Sequence, residues 1–344
     1  MRARIRERVA SLAAFRLSSD MLKKTLAMLA NVKPGTYLPD DVECYDPVEI
    51  DALGRVLRRL VYGPSSIRRL LQQKHHVTIT RADFYSEIPT IADLERSFAT
   101  PSLLTLDGIF PDNAAMIAEL DRLMGVSDEF DPPMKSGRPD EYAWEGGPFS
   151  FSDAVAYYAM IRTRKPRTIV EIGSGWSTRI AQMACARNGM GRIICVEPYP
   201  SEFLEAMQGI ELVKRRAQDI ATEFFNAALR DGDMLFIDST HTVKHDSDCL
   251  HIYLRMLPAI EADITVHVHD IHLPQTLPLG QMRDNQIFWT EQYLLYAYMC
   301  SNPRTRAIYG SRYHSRYNPE MLDRFMHGRY KAGGASFWFE QAKG

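Results

Sequence analysis

The chain of 344 residues lacks the features that mark several large classes of protein. Its five cysteines are odd in number and widely scattered, and none forms a CxxC pair, which argues against a disulfide framework and a cysteine zinc site. The formal net charge is only -2, so bulk charge gives no reason to expect a nucleic-acid partner. No apolar run reaches the roughly 18 residues that an integral membrane segment needs. We therefore expect a cytoplasmic protein with reduced thiols.

The pattern of the chain changes near residue 146. Before it, apolar residues recur at helical spacing over 18–31, 47–61 and 112–124, and Pro64 can open a short helix. The Arg-rich start, "MRARIRERVASLAAF", is interpreted as an amphipathic helix on the body of the protein, with a transit peptide or a membrane-surface helix as alternatives. A loop rich in Pro, Asp, Gly and Ser precedes the change. We predict a mainly helical accessory region over 1–145, lying over the ligand edge of a second domain at 146–344.

Strands and helices alternate in the second domain, which predicts a parallel sheet with helices on both faces. The strands are read in "RTIVEI", "GRIICVEP", "IELVKRRAQ", "DMLFIDST", "DITVHVHDIH", "RTRAIYG" and "ASFWFEQ". One helix is predicted over the whole of "DNQIFWTEQYLLYAYMCSN". No helical crossover of ordinary length is evident between the last two strands, so these two are expected to form an antiparallel pair at one edge.

The turn after the first strand, "EIGSGW", is the first candidate site. Gly173 and Gly175 allow positive φ and a close approach of ligand to backbone, and the next helix offers unpaired N–H groups. Glu197 ends the second strand, where a ribose-binding acid belongs. The third glycine of the dinucleotide fingerprint is missing, and Trp176 is bulky where a pyrophosphate would need room. These features favour a nucleoside ligand without a diphosphate, such as S-adenosylmethionine (SAM), over a plain turn beside a surface glutamate.

Longer motifs add a resemblance to this interpretation. "VEIGSGWST" resembles motif I of class I SAM-dependent methyltransferases, and "RRAQDI" is similar to the segment after their third strand. "MLFIDSTHTVKHDSD" and "VHVHDIHLP" resemble a bacterial branch of that superfamily. The resemblance implies a Rossmann-like, seven-stranded, mostly parallel sheet with an antiparallel edge strand, and a methyltransferase activity.

The resemblance also implies individual roles at the cofactor. The residues of the turn would line the methionine end of SAM, Glu197 would bind the ribose hydroxyls, and Asp238 would lie near the sulfonium. The residues after the third strand would border the adenine. The expected cofactor-binding residues are Glu171, Gly173, Ser174, Gly175, Trp176, Glu197, Gln218, Asp219 and Asp238.

A second group of polar residues follows the fourth and fifth strands. Asp238 and His241 come from the fourth, and Asp270 and His272 from the fifth. Because side chains of a strand alternate, Asp270 and His272 should share a face, and His267 and His269 should lie on the other as core or supporting residues. The first four are expected to converge beside the transferred methyl group.

Two uses of this group stay open. Asp238, Asp270 and His272 could bind a divalent cation that holds a substrate hydroxyl. Alternatively, His241 or His272 could act as general base, with Asp270 in the catalytic group. O-methyltransferases with a metal commonly have an Asp–Asn pair at the fifth strand. Here Ile271 follows Asp270, so His272 would have to compensate.

The predicted function is methylation of a small molecule or glycan, at oxygen first of all. The N-terminal region and the aromatic segment Phe288–Tyr298 would cover the acceptor, although such aromatics are more often helix core. One alternative is a metal-dependent hydroxylase or lyase on the same fold, with "HVHDIH" as its metal site. Another is a non-catalytic scaffold, against which the intact glycine turn and Glu197 argue. The N-terminal helices could also supply the face of a homodimer.

Overall fold

The computed structural model describes residues 47–99, 104–138 and 140–344. The chain divides into two compact units between Thr90 and Ile91. The described part of the first unit contains helices α1 (Pro47–Tyr62) and α2 (Ser65–His75), which confirms the two helices predicted there. The predicted helix at 18–31, the Arg-rich start and Cys44 lie outside the described residues.

The second unit begins with three helices, α3 (Ile91–Ala99), α4 (Asn113–Ser127) and α5 (Phe151–Arg164). Asp112 caps α4 by accepting a hydrogen bond of 2.8 Å from the N–H of Ala115. The division of the chain at Thr90 lies upstream of the boundary expected near residue 145. The reason is that α4 packs on α5, so its buried Leu120 and Leu123 join one of the two large cores of the sheet.

Seven strands form one sheet in the order β3-β2-β1-β4-β5-β7-β6. Strands β1 to β5 pair in parallel, whereas β7 runs antiparallel between β5 and β6. The predicted fold class is therefore confirmed, with the antiparallel pair at one edge. The strands are β1 (Thr168–Ile172), β2 (Arg192–Val196), β3 (Ile210–Val213), β4 (Met234–Ile237), β5 (Ile264–Val268), β6 (Thr305–Gly310) and β7 (Phe337–Gln341).

Helices cover both faces of this sheet, and two large buried clusters lie between them. Within the described residues they are α6 (Trp176–Asn188), α7 (Glu202–Ala206), α8 (Thr222–Ala228), α9 (Asp248–His251, continued as π- and 3-10 turns through Ala259), α10 (Leu279–Arg283), α11 (Glu291–Met299), α12 (Ser311–Tyr317) and α13 (Pro319–Phe325), with a 3-10 turn at Ala217–Asp219. None of the described helices is long and apolar enough to cross a membrane.

Two predictions about these helices are corrected. The single helix expected over 284–302 is confined to α11, because the backbone N–H groups of Thr290 and Glu291 both donate to the carbonyl of His241 and so hold the preceding segment as a loop. In addition, α12 and α13 lie between β6 and β7, where no full crossover was expected. Each has only seven residues, which is too short for a clear helical period in the sequence.

Candidate functional site

The turn after β1 is held against the start of the segment after β4. Gly173 has φ +79°, and a Cβ on it would lie 1.8 Å from the carbonyl oxygen of Asp238. Its N–H donates to Val196 O at 3.0 Å, and the N–H of Asp238 donates to Ile172 O at 2.8 Å. Only glycine fits this position, and the turn is thereby fixed to both neighbouring strands.

Glu171 lies beneath the turn and is fully buried. The hydroxyl of Tyr157 donates to it at 2.8 Å, and the hydroxyl of Thr178 also donates to it. Thr178 Oγ1 in turn accepts the N–H of Gly175 at 3.1 Å. Burial raises the pKa of Glu171 to about 7, although these hydrogen bonds act in the opposite direction. The acid therefore holds the turn and the start of α6 in place.

The upper side of the turn is more open. Gly175 has extended backbone, and a Cβ on it would meet no atom within 4 Å. The side chain of Ser174 does not fill this space, because its hydroxyl is buried toward Glu171 and helps to lower the pKa of that acid. The indole of Trp176 stacks on Phe203 at 4.5 Å between ring centroids and covers Gly147, whose Cβ would lie 2.9 Å from the indole. Space for a ligand is thus left beside Gly175.

The residues expected at the ribose and adenine follow β2 and β3. Glu197 accepts the N–H of Tyr199 at 2.8 Å, and the N–H of Ser174 lies 3.5 Å from its other carboxylate oxygen. Gln218 donates to the carbonyl of Asp246 at 3.1 Å. Asp219 is exposed and forms a bidentate pair with Arg216, at 2.7 and 2.8 Å. Glu197 therefore borders the turn directly, while the charge of Asp219 is already paired.

Three polar side chains converge at the carboxyl ends of β4 and β5. One ligand atom from each of Asp238, His241 and Asp270 lies within 4.8 Å of the other two. His241 Nε2 is 3.2 Å from Asp238 Oδ1 and 3.6 Å from Asp270 Oδ2. His241 and Asp270 both have positive φ, +57° and +55°, a left-handed conformation that is uncommon for non-glycine residues.

His269 reaches the same group, contrary to its assignment to the opposite face. Its Nδ1 lies 3.5 Å from Asp238 Oδ1 and 3.8 Å from Asp270 Oδ2. Its Nε2 lies 3.4 Å from Asp153 Oδ2, at the start of α5. Asp153 is buried and also accepts hydrogen bonds from the Ser311 hydroxyl at 2.6 Å and from two backbone N–H groups before β7.

His241 is supported from behind in the same way. Its Nδ1 lies 2.7 Å from Oε2 of Glu291, a carboxylate buried at the start of α11. The hydroxyl of Tyr253 donates to Glu291 Oε1 at 2.9 Å. The two imidazoles are thus each fixed between one buried carboxylate and the shared pair Asp238 and Asp270. We call these six residues the Asp–His cluster: Asp153, Asp238, His241, His269, Asp270 and Glu291.

Carboxylates outnumber imidazoles in the Asp–His cluster by four to two, and this excess sets the pKa values. Burial opposes the charged form of His241, but hydrogen bonds to Asp238 and Glu291 outweigh it and raise its pKa to about 10. The pKa of His269 is raised despite burial by the charge of Asp238. Burial raises the pKa of Asp270, with the two imidazoles opposing. The cluster attracts positive charge.

His272 is not a member of this cluster, which corrects the predicted convergence. β5 ends at Val268 and the backbone turns at Asp270 with positive φ, so the alternation of an extended strand does not extend to residue 272. His272 is buried, its Nε2 has no partner, and burial lowers its pKa to about 3. His267 is a core residue, as expected, with Nε2 2.8 Å from Ser336 Oγ.

The aromatic segment that was expected near the acceptor is divided between the candidate site, the surface and one of the large cores, on which Tyr296 and Tyr298 pack. The ring of Trp289 lies 4.6 Å from that of His241, and Phe288 and Trp289 pack on the small core formed with Leu94. Tyr293 is exposed. Trp289 therefore covers the Asp–His cluster from the loop before α11.

Sequence reasoning missed His269, Asp153 and Glu291 as site residues. His269 adjoins Asp270 and could have been included if the end of β5 had been placed at Val268 instead of His272. Asp153 and Glu291 come from distant helices, and only a buried acid in the first turn of an apolar helix hinted at them.

Comparison with known proteins supports the methyltransferase reading of this fold. The profile of a methyltransferase-domain family matches residues 170–271, from β1 to just past β5. An uncharacterised protein of Archaeoglobus fulgidus is 32% identical over 154 residues, which cover 41% of this chain and 70% of that protein.

Solved structures resemble the chain more distantly. An O-methyltransferase from Bacillus cereus in complex with SAH overlays with a TM-score of 0.34 at 15% identity, covering 69% of this chain and 94% of that chain. A methyltransferase from Geobacter sulfurreducens overlays with a TM-score of 0.30 at 14% identity, covering 69% and 93%. Overlays at this level carry no functional argument.

The strand order, the glycine turn after β1 and the matched segment define a Rossmann-like methyltransferase domain. Residues 170–271 therefore belong to a methyltransferase-domain family, and the sheet around them has the fold of the class I SAM-dependent superfamily.

Proposed function

We propose that this protein transfers the methyl group of SAM to an oxygen of a small molecule or glycan, and that a divalent cation in the Asp–His cluster holds the acceptor. The observation that carries the proposal is the arrangement of His241 and His269. Each imidazole points one nitrogen at the pair Asp238 and Asp270 and the other at its own buried carboxylate.

The residues at the glycine turn fit SAM. The open space at Gly175 leaves room for close approach, and the N–H groups that begin α6 are available to a carboxylate. Glu197 presents a carboxylate for the two ribose hydroxyls.

The donor set of the Asp–His cluster fits a divalent cation. Asp238, Asp270 and His241 supply ligand atoms within 4.8 Å of one another, and His269 Nδ1 lies on the same two carboxylates. Imidazoles that bind metals usually donate their other N–H to a carboxylate, as His241 does to Glu291 and His269 to Asp153. This mixture of imidazole and carboxylate suits first-row divalent metals better than magnesium.

The chain's own part in the reaction is positioning. SAM supplies an electrophilic methyl group, and a bound cation would hold an acceptor hydroxyl and favour its ionised form. Glu291 and Asp153 fix the imidazole rings, the turn at Gly173 fixes Asp238 relative to the cofactor site, and Trp289 limits the access of water. Together, the fixed imidazole rings, the turn at Gly173 and Trp289 align the acceptor and the methyl group before any bond changes.

Calorimetric titration tests the proposal. Protein treated with EDTA is titrated with Mn²⁺, and separately with SAM. We expect one Mn²⁺ per chain in the wild type and at least tenfold weaker binding by His241→Ala and His269→Ala, with SAM affinity nearly unchanged. His245→Ala, at an exposed histidine outside the cluster, serves as control. Absence of Mn²⁺ binding by the wild type refutes the cation, and absence of SAM binding refutes the activity.

A further inference from the structure

Beside the Asp–His cluster lies a set of polar groups that has no partner in the described residues. Gln292 follows Glu291 in α11 and is 2% exposed, and its Nε2 is buried without a hydrogen-bond partner. His272 is also 2% exposed, and its Nε2 is likewise unpartnered. A buried polar group without a partner costs free energy, so such groups call for a ligand.

The chemistry of the two groups is defined by their other contacts. The backbone N–H of His272 donates to Gln292 Oε1 at 3.1 Å, which joins the two side chains in one place. Because the oxygen of the amide is thereby engaged, the unpartnered Nε2 of Gln292 is a donor. The free Nε2 of His272 can also donate, in the tautomer that places the proton there.

Arg312 brings a positive charge to the same place. It follows Ser311, whose hydroxyl bonds Asp153 at 2.6 Å, and it lies just after β6, at the same edge of the sheet as the ends of β4 and β5. The residues just before His272 and Arg312 are held side by side, because the N–H groups of Ile271 and Ser311 donate to the adjacent carbonyls of Ala335 and Ser336 at 2.8 and 2.9 Å. The Nε of Arg312 is buried without a hydrogen-bond partner.

We propose that Arg312, Gln292 and His272 bind an anionic group, a carboxylate or a phosphate, on the methyl acceptor. All three present donors, and an acceptor-only anion satisfies them together. A planar guanidinium matches both anions through paired hydrogen bonds. This proposal rests on the proposed function, since it places the anion beside the cluster that holds the acceptor oxygen, and it narrows the substrate class to hydroxylated acids or phosphate esters.

The test compares matched anionic and neutral probes by calorimetry on SAH-saturated protein, with Mn²⁺ and again with EDTA. The carboxylate arm uses 3-hydroxybenzoate against 3-hydroxybenzamide, and the phosphate arm uses glycerol 3-phosphate against glycerol. We expect at least one anion to bind at least tenfold more tightly than its neutral partner. In Arg312→Gln and in the isosteric Gln292→Glu that preference should fall below threefold, while SAH affinity stays unchanged.

Arg316→Gln, one turn further along α12 at an exposed position, is the matched control and should keep the wild-type preference. Arg312→Lys keeps the positive charge and should retain part of the anion preference. It therefore distinguishes loss of the anion contact from a folding defect in Arg312→Gln. The proposal is overturned if no anionic probe binds the wild type, if acid and neutral partner bind equally, or if Arg312→Gln keeps the preference. An anion preference that persists with EDTA in a protein without Mn²⁺ binding supports this subsite while the cation proposal fails.

Discussion

At the residue scale, the two glycines of the turn have different reasons to be glycine. At Gly173 the protein itself demands it, through positive φ and a contact with the backbone of Asp238. At Gly175 nothing in the protein demands it, because the backbone is extended and the space is open. The difference separates a residue needed for folding from one expected to face the cofactor.

A pair of alanine variants tests this distinction. We expect Gly173→Ala to lower the free energy of unfolding by about 3 kcal/mol or more, since strain and a clash with a backbone oxygen add. Gly175→Ala should change it by less than about 1 kcal/mol, yet weaken SAM binding at least tenfold. Denaturant unfolding and calorimetry on both variants give the answer, and equal SAM affinity of Gly175→Ala and wild type would contradict the cofactor site.

Glu171 gives a prediction of pH dependence. Its pKa in the folded protein, about 7, lies above the ordinary value of 4.5, so the folded state binds the extra proton between these values. The contribution of Glu171 to stability is therefore full below pH 4.5 and is lost as pH rises through 7. As pH rises from 4.5 to 7.5, the free energy of unfolding of Glu171→Gln should increase relative to that of the wild type by up to about 3 kcal/mol. Unfolding curves across this range measure it. The exposed Glu211→Gln is the control, and a parallel pH profile for Glu171→Gln would refute the prediction.

At the element scale, the start of α5 joins three parts of the fold. Asp153 in its first turn accepts hydrogen bonds from Ser311 of α12 and from the N–H groups of Ala335 and Ser336 before β7, and it pairs with His269 after β5. One carboxylate therefore ties the antiparallel edge of the sheet to the Asp–His cluster.

Replacing this carboxylate by an amide should affect both stability and the site. We expect Asp153→Asn to lower the free energy of unfolding by about 2–4 kcal/mol, because an amide cannot accept all of these hydrogen bonds. It should also weaken Mn²⁺ binding by about 10–100-fold. Asp112→Asn, at the N-cap of α4, is the control and should cost less than about 0.5 kcal/mol, since asparagine caps equally well. Wild-type Mn²⁺ affinity in Asp153→Asn would show that the residue does not position His269.

Sequence reasoning succeeded for elements with a strong local signal and failed where the chain leaves regular structure. The seven strands and the antiparallel pair at one edge of the sheet were readable, and so was the edge at which the candidate site lies. His269 lies beside Asp238 and Asp270, where His272 was expected, because the strand period was extended past Val268, into a turn whose positive φ at Asp270 no local pattern reveals. Arg312 and Glu291 meet the site only through tertiary packing.

At the scale of the whole molecule, the sheet and the helices from Ile91 onward form one compact unit. We expect a chain of residues 91–344 to unfold cooperatively and to bind SAM like the full chain. A chain that starts at residue 146 should be far less stable, because it loses core residues that include Leu120, Leu123, Phe130 and Trp144. Calorimetric melting of the two chains checks this, and the reverse order of stability would refute it. Turnover by the 91–344 chain further tests the expectation from the sequence that the N-terminal region covers the acceptor.

The position of β7 also has a consequence for synthesis of the protein. β7 is translated after β6 but occupies the place between β5 and β6, so the backbone of β5 lacks its second neighbour until Gln341 has been made. At about 5–20 residues per second, a nascent chain exposes this apolar edge for several seconds after the cofactor half is complete. An unpaired apolar strand of this kind is prone to pair with other chains. Ribosomes that stall between β6 and β7 would thus release a product with the glycine turn intact and a strong tendency to aggregate.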